Sequence, residues 1–291
     1  MADIDIAQTQ EKQELLDSLL KEMDSVVVGF SAGVDSTYLL YAAVRALGRE
    51  KVLAVTGKSN TIPQHQIDAA KKYALQIDAV HEITETSELE KPGFRDNPAD
   101  RCFMCKSELY TRLAALAAER GFGIVVDGSN ADDLKDYRPG MKAIRELGIR
   151  SPMVEVGLTK AQIRYLSREA GLPTWDKPAF PCLSSRIPYG MKITDEALNW
   201  IDQGEQFIKS LGIEGPVRVR HHDQLARIEV DAGAIATLLQ AQMSARIVER
   251  FKEIGYKYVT IDLQGFRSGS LNEAIEKAVG RVSAAASDNA I

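Results

Sequence analysis

The segment that most constrains this chain is residues 25–36, Ser-Val-Val-Val-Gly-Phe-Ser-Ala-Gly-Val-Asp-Ser. Its first six residues form a short, β-branched, nearly uninterrupted apolar run, the pattern of a strand buried on both faces of a parallel sheet. A Gly/Ser turn follows, and then a helical segment over residues 36–47. The alternation continues with a strand near 52–56, a helix near 63–75, an acidic loop, a helix over 106–120, a strand at 123–127 and a helix near 159–170. An amphipathic helix over residues 9–23 precedes it, with Leu15, Leu16, Leu19 and Leu20 at helical spacing. Strands alternating with helices predict an α/β domain built on a doubly wound parallel sheet.

The pattern changes after residues 171–190, which hold four prolines and read as a long loop. Long loops in compact domains are often functional. Beyond it come a helix over 195–211, two alternating runs at 217–221 and 225–230, two helical stretches and a strand at 258–263. These predict a smaller C-terminal α+β domain. The boundary is expected near Gly190, giving domains 1–190 and 191–291. The small, polar tail from Val282 is expected to fray.

With 45% hydrophobic and 26% charged residues the chain has the balance of a soluble globular protein. Nothing approaches the ~18 uncharged apolar residues of a membrane span, and the N-terminus lacks the basic start and apolar core of a signal peptide. A cytoplasmic location without a membrane partner is expected. Disulfides are rare there, so cysteines are read first as ligands or reagents. A net charge of −5 argues against a protein that lives on non-specific nucleic-acid contact.

At the end of the first strand, backbone N–H groups at a helix start can bind phosphate oxygens. Ser31, Gly33, Val34, Asp35 and Ser36 are the candidate phosphate-binding residues there, and bind ATP if the resemblance given next holds. A bare carboxylate beside phosphates would repel them, so Asp35 fits better as a Mg2+ ligand for pyrophosphate. No G-x-x-x-x-G-K-[ST] occurs, which excludes a Walker loop. The run Ser31–Ser36 resembles instead the S-G-G-x-D-S signature of PP-loop ATP pyrophosphatases, with Ala32 where glycine is usual. Alanine would be strained there if the position needs a positive φ. Asp127-Gly128-Ser129-Asn130 closes a buried strand where a base or ribose can dock, and Arg138 is a candidate phosphate contact.

The three cysteines are Cys102, Cys105 and Cys182. The first two form a C-x-x-C pair just before the helix expected at 106–120, a spacing that lets both thiolates reach one metal. Spacing alone leaves an iron–sulfur cluster and zinc equal, with a redox pair, direct sulfur donation from Cys182 and inert thiols also open. After Cys182 come Ser185 and Arg186, and farther on Arg218 and Arg220 share one face of a strand. Aligned guanidiniums suit a phosphate or carboxylate. Glu205 and Glu229 either balance these arginines or bind substrate or metal.

Together these segments resemble the LarE family, from SAGVDS through DGSNADDLKDYRPG and CLSSRIPYG to VRVRHHDQLARIEV and YVTIDLQGFRSG. The resemblance covers nearly the whole chain. It implies an adenine nucleotide alpha hydrolase-like PP-loop domain and a smaller C-terminal domain for substrate binding or oligomerisation, with a homo-oligomer as the expected assembly. It implies that ATP adenylates the carboxylates of pyridinium-3,5-biscarboxylic acid mononucleotide and that sulfur then replaces AMP, in synthesis of the nickel-pincer nucleotide of lactate racemase. It also implies that Cys102, Cys105 and Cys182 hold a 4Fe-4S cluster, the family's alternative being a sacrificial loop cysteine one position earlier, at Pro181. Ser185, Arg186, Glu205, Arg218 and Arg220 would bind the substrate. A PP-loop tRNA thiolase is the rival reading.

Overall fold

A computed structural model describes residues 4–135, 139–267 and 270. The expectations for Arg138 and for the tail from Val282 lie outside the described residues. Two compact units divide between Phe180 and Pro181.

The first unit runs α1 (Ile6–Glu22), β1 (Val26–Gly29), α2 (Val34–Leu47), β2 (Val52–Lys58), α3 (Gln64–Gln76), β3 (Val80–Glu85), α4 (Arg101–Arg120), β4 (Ile124–Val126), α5 (Pro139–Glu146), α6 (Pro152–Glu155) and α7 (Lys160–Glu169). Its four strands pair in the order β3-β2-β1-β4, all parallel. Alternation along β1 and β2 feeds two cores. Val26, Val28, Val52 and Ala54 pack against α1, α2 and α7, while Val27, Leu53 and Val55 pack against α4. Helices therefore cover both faces, as expected of a doubly wound sheet. Each valine of β1 is fully buried, and burying such a side chain contributes about 1.5–3 kcal/mol.

Two local expectations are corrected. The segment read as an acidic loop contains β3, whose His81, Glu82 and Glu85 hid it. It is an edge strand and needs no continuous apolar run. The helix expected from 106 begins instead at Arg101. Arg101 is buried and donates from Nη1 to Asn97 Oδ1 at 2.7 Å, with Asn97 in a left-handed conformation that ends the preceding turn.

The second unit holds α8 (Asp195–Ser210), β5 (Arg218–His222), β6 (Leu225–Glu229), α9 (Ala232–Leu238), α10 (Ala241–Ile254) and β7 (Tyr258–Ile261). β5 and β6 form an antiparallel hairpin, and β7 adds in parallel to β6. Val219, Ala226 and Ile228 face a core with Phe251 and Tyr256. The division at 180/181 lies ten residues before the expected Gly190. The reason is Arg186, whose side chain is fully buried and paired with Glu205 of α8, which ties residues 181–190 to the second unit.

Candidate active site

In the first unit the chain leaves β1 for α2 on one side and β4 lies on the other. The loops after β1 and β4 thus share the carboxyl edge where the strand order reverses, the usual ligand crevice of such sheets. Gly33 is the N-cap of α2 and makes no side-chain cap bond, so the first amides of α2 have no side-chain oxygen capping them. Ser31 Oγ and Ser36 Oγ lie 3.1 Å apart, and Ser31 N donates to Ser36 Oγ at 3.3 Å. Gly128 presses on this turn. A methyl there would lie 3.0 Å from both Cα and N of Ser36, so the two loops meet only because Gly128 lacks a side chain.

Ala32 has φ 55°, the left-handed region, and is fully buried. The position therefore does need the conformation that glycine adopts freely, and alanine carries a cost of about 1–2 kcal/mol. Its carbonyl accepts a hydrogen bond from Lys177 Nζ at 2.9 Å, and Lys177 also lies over the Tyr73 ring. Ala32→Gly is expected to shift stability by no more than about 1 kcal/mol, since lost strain and regained backbone freedom oppose each other. Ala32→Val is expected to destabilise by about 2 kcal/mol or more, because a β-branched residue suits this conformation least. Urea unfolding of the two variants checks both.

Asp35 forms a salt bridge to Lys160 Nζ at 2.5 Å. Lys160 opens α7 after a capping box made by Thr159 and Gln162. Its amide donates to Asp132 Oδ2 at 2.9 Å, and Asn130 N donates to Asp133 Oδ2 at 3.0 Å, so the acidic run orders the loop after β4. Asp127 is buried. It accepts from Ser129 Oγ at 2.6 Å and from Ser151 Oγ at 2.5 Å, with Lys106 Nζ 3.6 Å away. Tyr110 of α4 packs against Gly29, and burial, then Asp127 and Cys105, push its hydroxyl well above the usual range.

Lys160 and Lys177 were not picked out from sequence. The Thr-x-x-Gln box marks a helix start, but Lys160 meets Asp35 across 125 residues of chain, which no local pattern shows.

Cys102 and Cys105 sit three residues apart in the first turn of α4, on one face of that helix. The Cys102 thiol is exposed and that of Cys105 half-buried. Cys182 is a free, half-buried thiol of the second unit and caps a short 3-10 turn, Leu183–Arg186. Among the described residues no group of three His, Cys, Asp or Glu is gathered to hold a metal.

In the second unit Arg218 and Arg220 are both buried on β5. Arg218 lies over the Phe266 ring at 5.3 Å. Burial, then the neighbouring Arg186, lowers its pKa to about 10, while Glu205 opposes this. Arg220 donates to Glu229 Oε2 at 2.8 and 3.0 Å and to Ser185 O at 2.8 Å. Glu229 also faces Arg227 at 3.3 Å, and Arg227 pairs with Asp262 at 2.5 Å. Guanidiniums thus flank the carboxylate of Glu229, the candidate metal ligand of the sequence reading. Glu205 accepts from Arg186 through both oxygens and from Val219 N at 3.1 Å, so its carboxylate balances an arginine. His221 and His222 face opposite sides of β5. His221 packs on Tyr256 and Trp200, and His222 shares the arginine face.

The NAD synthase family matches residues 9–113. An uncharacterised protein of Synechocystis is 41% identical over 268 residues, covering 92% of this chain and 99% of the relative. The pyridinium-3,5-bisthiocarboxylic acid mononucleotide synthase of Lactiplantibacillus plantarum is 37% identical over 267 residues, 92% of this chain and 96% of that enzyme. An NH3-dependent NAD+ synthetase of Chlorobaculum tepidum is 29% identical over 165 residues, 53% of this chain and 56% of that enzyme.

Proposed function

We propose, because this chain belongs to the LarE family of PP-loop synthases, that it uses ATP to convert the carboxylates of pyridinium-3,5-biscarboxylic acid mononucleotide to thiocarboxylates. The observation that carries the reading is the turn after β1. Amides without a side-chain cap, two hydroxyls and a glycine-narrowed neighbouring loop converge there on the carboxyl edge of a parallel sheet. That is a site for the pyrophosphate of a nucleotide.

Asp35, one carboxylate beside substrate phosphates, suits Mg2+, which prefers few protein ligands and keeps several waters. Lys160 neutralises Asp35 and stands ready to face phosphate oxygens when the cation takes its place. A substrate carboxylate oxygen attacks the α-phosphorus and pyrophosphate leaves. The amides of α2, Ser31 and Ser36 stabilise the charge that develops, the main task of a protein in such transfers. Sulfur then attacks the acyl carbon and AMP departs with the carboxylate oxygen. Arg218, crowded by the like charge of Arg186 and Arg220, offers the substrate's phosphate a favourable site, with Arg220 held beside it by Glu229.

The donor chemistry of three thiols, two of them on one helical face, suits an iron–sulfur cluster that Cys102, Cys105 and Cys182 would hold. When bound, that cluster would deliver sulfide, supplied from outside the chain, to the acyl carbon.

The test is anaerobic incubation of the purified chain with Mg-ATP, the mononucleotide and sulfide, with a parallel reaction that omits sulfide. The expected result is one pyrophosphate and one AMP per thiocarboxylate, from protein carrying about four irons and four sulfides. Cleavage of ATP to ADP, or pyrophosphate release with no sulfur in the product, would remove the reading. Thiocarboxylate formed without iron, at one per chain, would assign the sulfur to Cys182 itself.

A further inference from the structure

Arg186 reads from sequence as part of an anion site, but its surroundings are those of a clamp. Its side chain is 0% exposed. Nε and Nη2 form the two-toothed edge that a guanidinium offers to an oxyanion, and that edge is filled by Glu205 Oε1 and Oε2 at 2.8 and 2.9 Å. Nη1 turns the other way, onto Pro181 O at 2.5 Å, Cys182 O at 2.9 Å and Ser185 Oγ at 3.0 Å. Two N–H bonds on one nitrogen thus serve three acceptors, all in the few residues around Cys182.

The neighbouring contacts complete the frame. Ser185 N donates to Cys182 O at 3.0 Å, closing the 3-10 turn, and Arg220 holds Ser185 O at 2.8 Å. Glu205 is in turn fixed to β5 by Val219 N. The backbone on both sides of the Cys182 side chain is therefore tied, through one guanidinium, to α8 and β5.

We infer that Arg186 is a positioning residue for Cys182, which presets the thiol for sulfur transfer, and not a ligand of the substrate. This rests on the function proposed above. The physical basis is that a reacting group held by packed, hydrogen-bonded neighbours needs no ordering at the moment of reaction. A lysine at 186 would keep the charge beside Glu205 but could not span from that carboxylate to two carbonyls.

The test uses the full chain with Arg186→Lys, and Glu205→Gln as a second, milder variant should the first fold poorly. Two readouts are taken. Hydrogen exchange followed by mass spectrometry is expected to show faster exchange of the Ser185 and Ile187 amides in both variants, with β6 unchanged. In turnover, thiocarboxylate formation is expected to fall at least tenfold while pyrophosphate release and the KM for the mononucleotide stay within threefold of wild type. A simple loss of folded protein would lower both products together. A tenfold rise in KM with unaltered exchange would overturn the inference and return Arg186 to the substrate. Wild-type protein that releases no pyrophosphate with this mononucleotide would sink the proposed function alone. The exchange data would then decide the clamp, and unchanged exchange in both variants would refute it.

Discussion

Glu205→Ala is expected to destabilise the second unit by about 3–5 kcal/mol, the usual cost of removing one partner of a buried ion pair. Arg186 would keep its charge with no exposure to water, and Val219 N–H would lose its acceptor. Truncation is worse than replacement of both partners, because an orphaned charge is costlier than an apolar pair. Glu205→Met combined with Arg186→Met is therefore expected to recover much of the loss. Urea unfolding followed by the fluorescence of Trp200, in a Trp175→Phe background, reports on this unit, since Trp200 lies on α8 and packs on Tyr256. A midpoint that does not move in Glu205→Ala would mean the pair is solvated in solution.

Cys182→Ala is expected to lower thiocarboxylate formation by more than ~100-fold, or about 3 kcal/mol on the barrier, and to leave pyrophosphate release within a few-fold of wild type. The backbone explains why the change stays confined to the sulfur. Cys182 has φ −58° and ψ 159°, a conformation alanine adopts without strain. What Arg186 and Ser185 hold is the carbonyl of residue 182, which alanine keeps. Ser31, Asp35 and Ser36, the groups proposed for adenylation, belong to the other unit. The assay counts pyrophosphate and thiocarboxylate in the same reaction. Continued thiolation by the alanine variant would take Cys182 out of sulfur delivery, and parallel loss of both products would show a general role in folding.

Much of this is legible in the sequence because it is local. Three consecutive valines demand a strand buried on both faces, and a glycine-and-serine turn into a helix makes an anion site out of backbone alone. The spacing of Cys102 and Cys105 states that they share a ligand or a face, though not that the helix has already begun at Arg101. β3 was missed because an edge strand with histidine and glutamate on it has no periodic apolar signature. The left-handed turn at Ala32 was posed by the sequence as a question, since alanine takes that hand only at a cost, and was answered by its φ of 55°, in a turn where Lys177 holds its carbonyl.

What the sequence by itself determined is the parallel α/β sheet, the glycine-and-serine turn after its first strand and the family to which those residues belong. Only the tertiary structure decided which charges face one another. Asp35 meets Lys160 across 125 residues, and Arg186 meets Glu205 across 19. The physical reason is that a strand or helix is specified by periodicity within a few residues, whereas an ion pair is specified by where two separate elements come to lie. An arginine written beside a cysteine reads the same whether it awaits a phosphate or, as here, is already closed on a buried carboxylate.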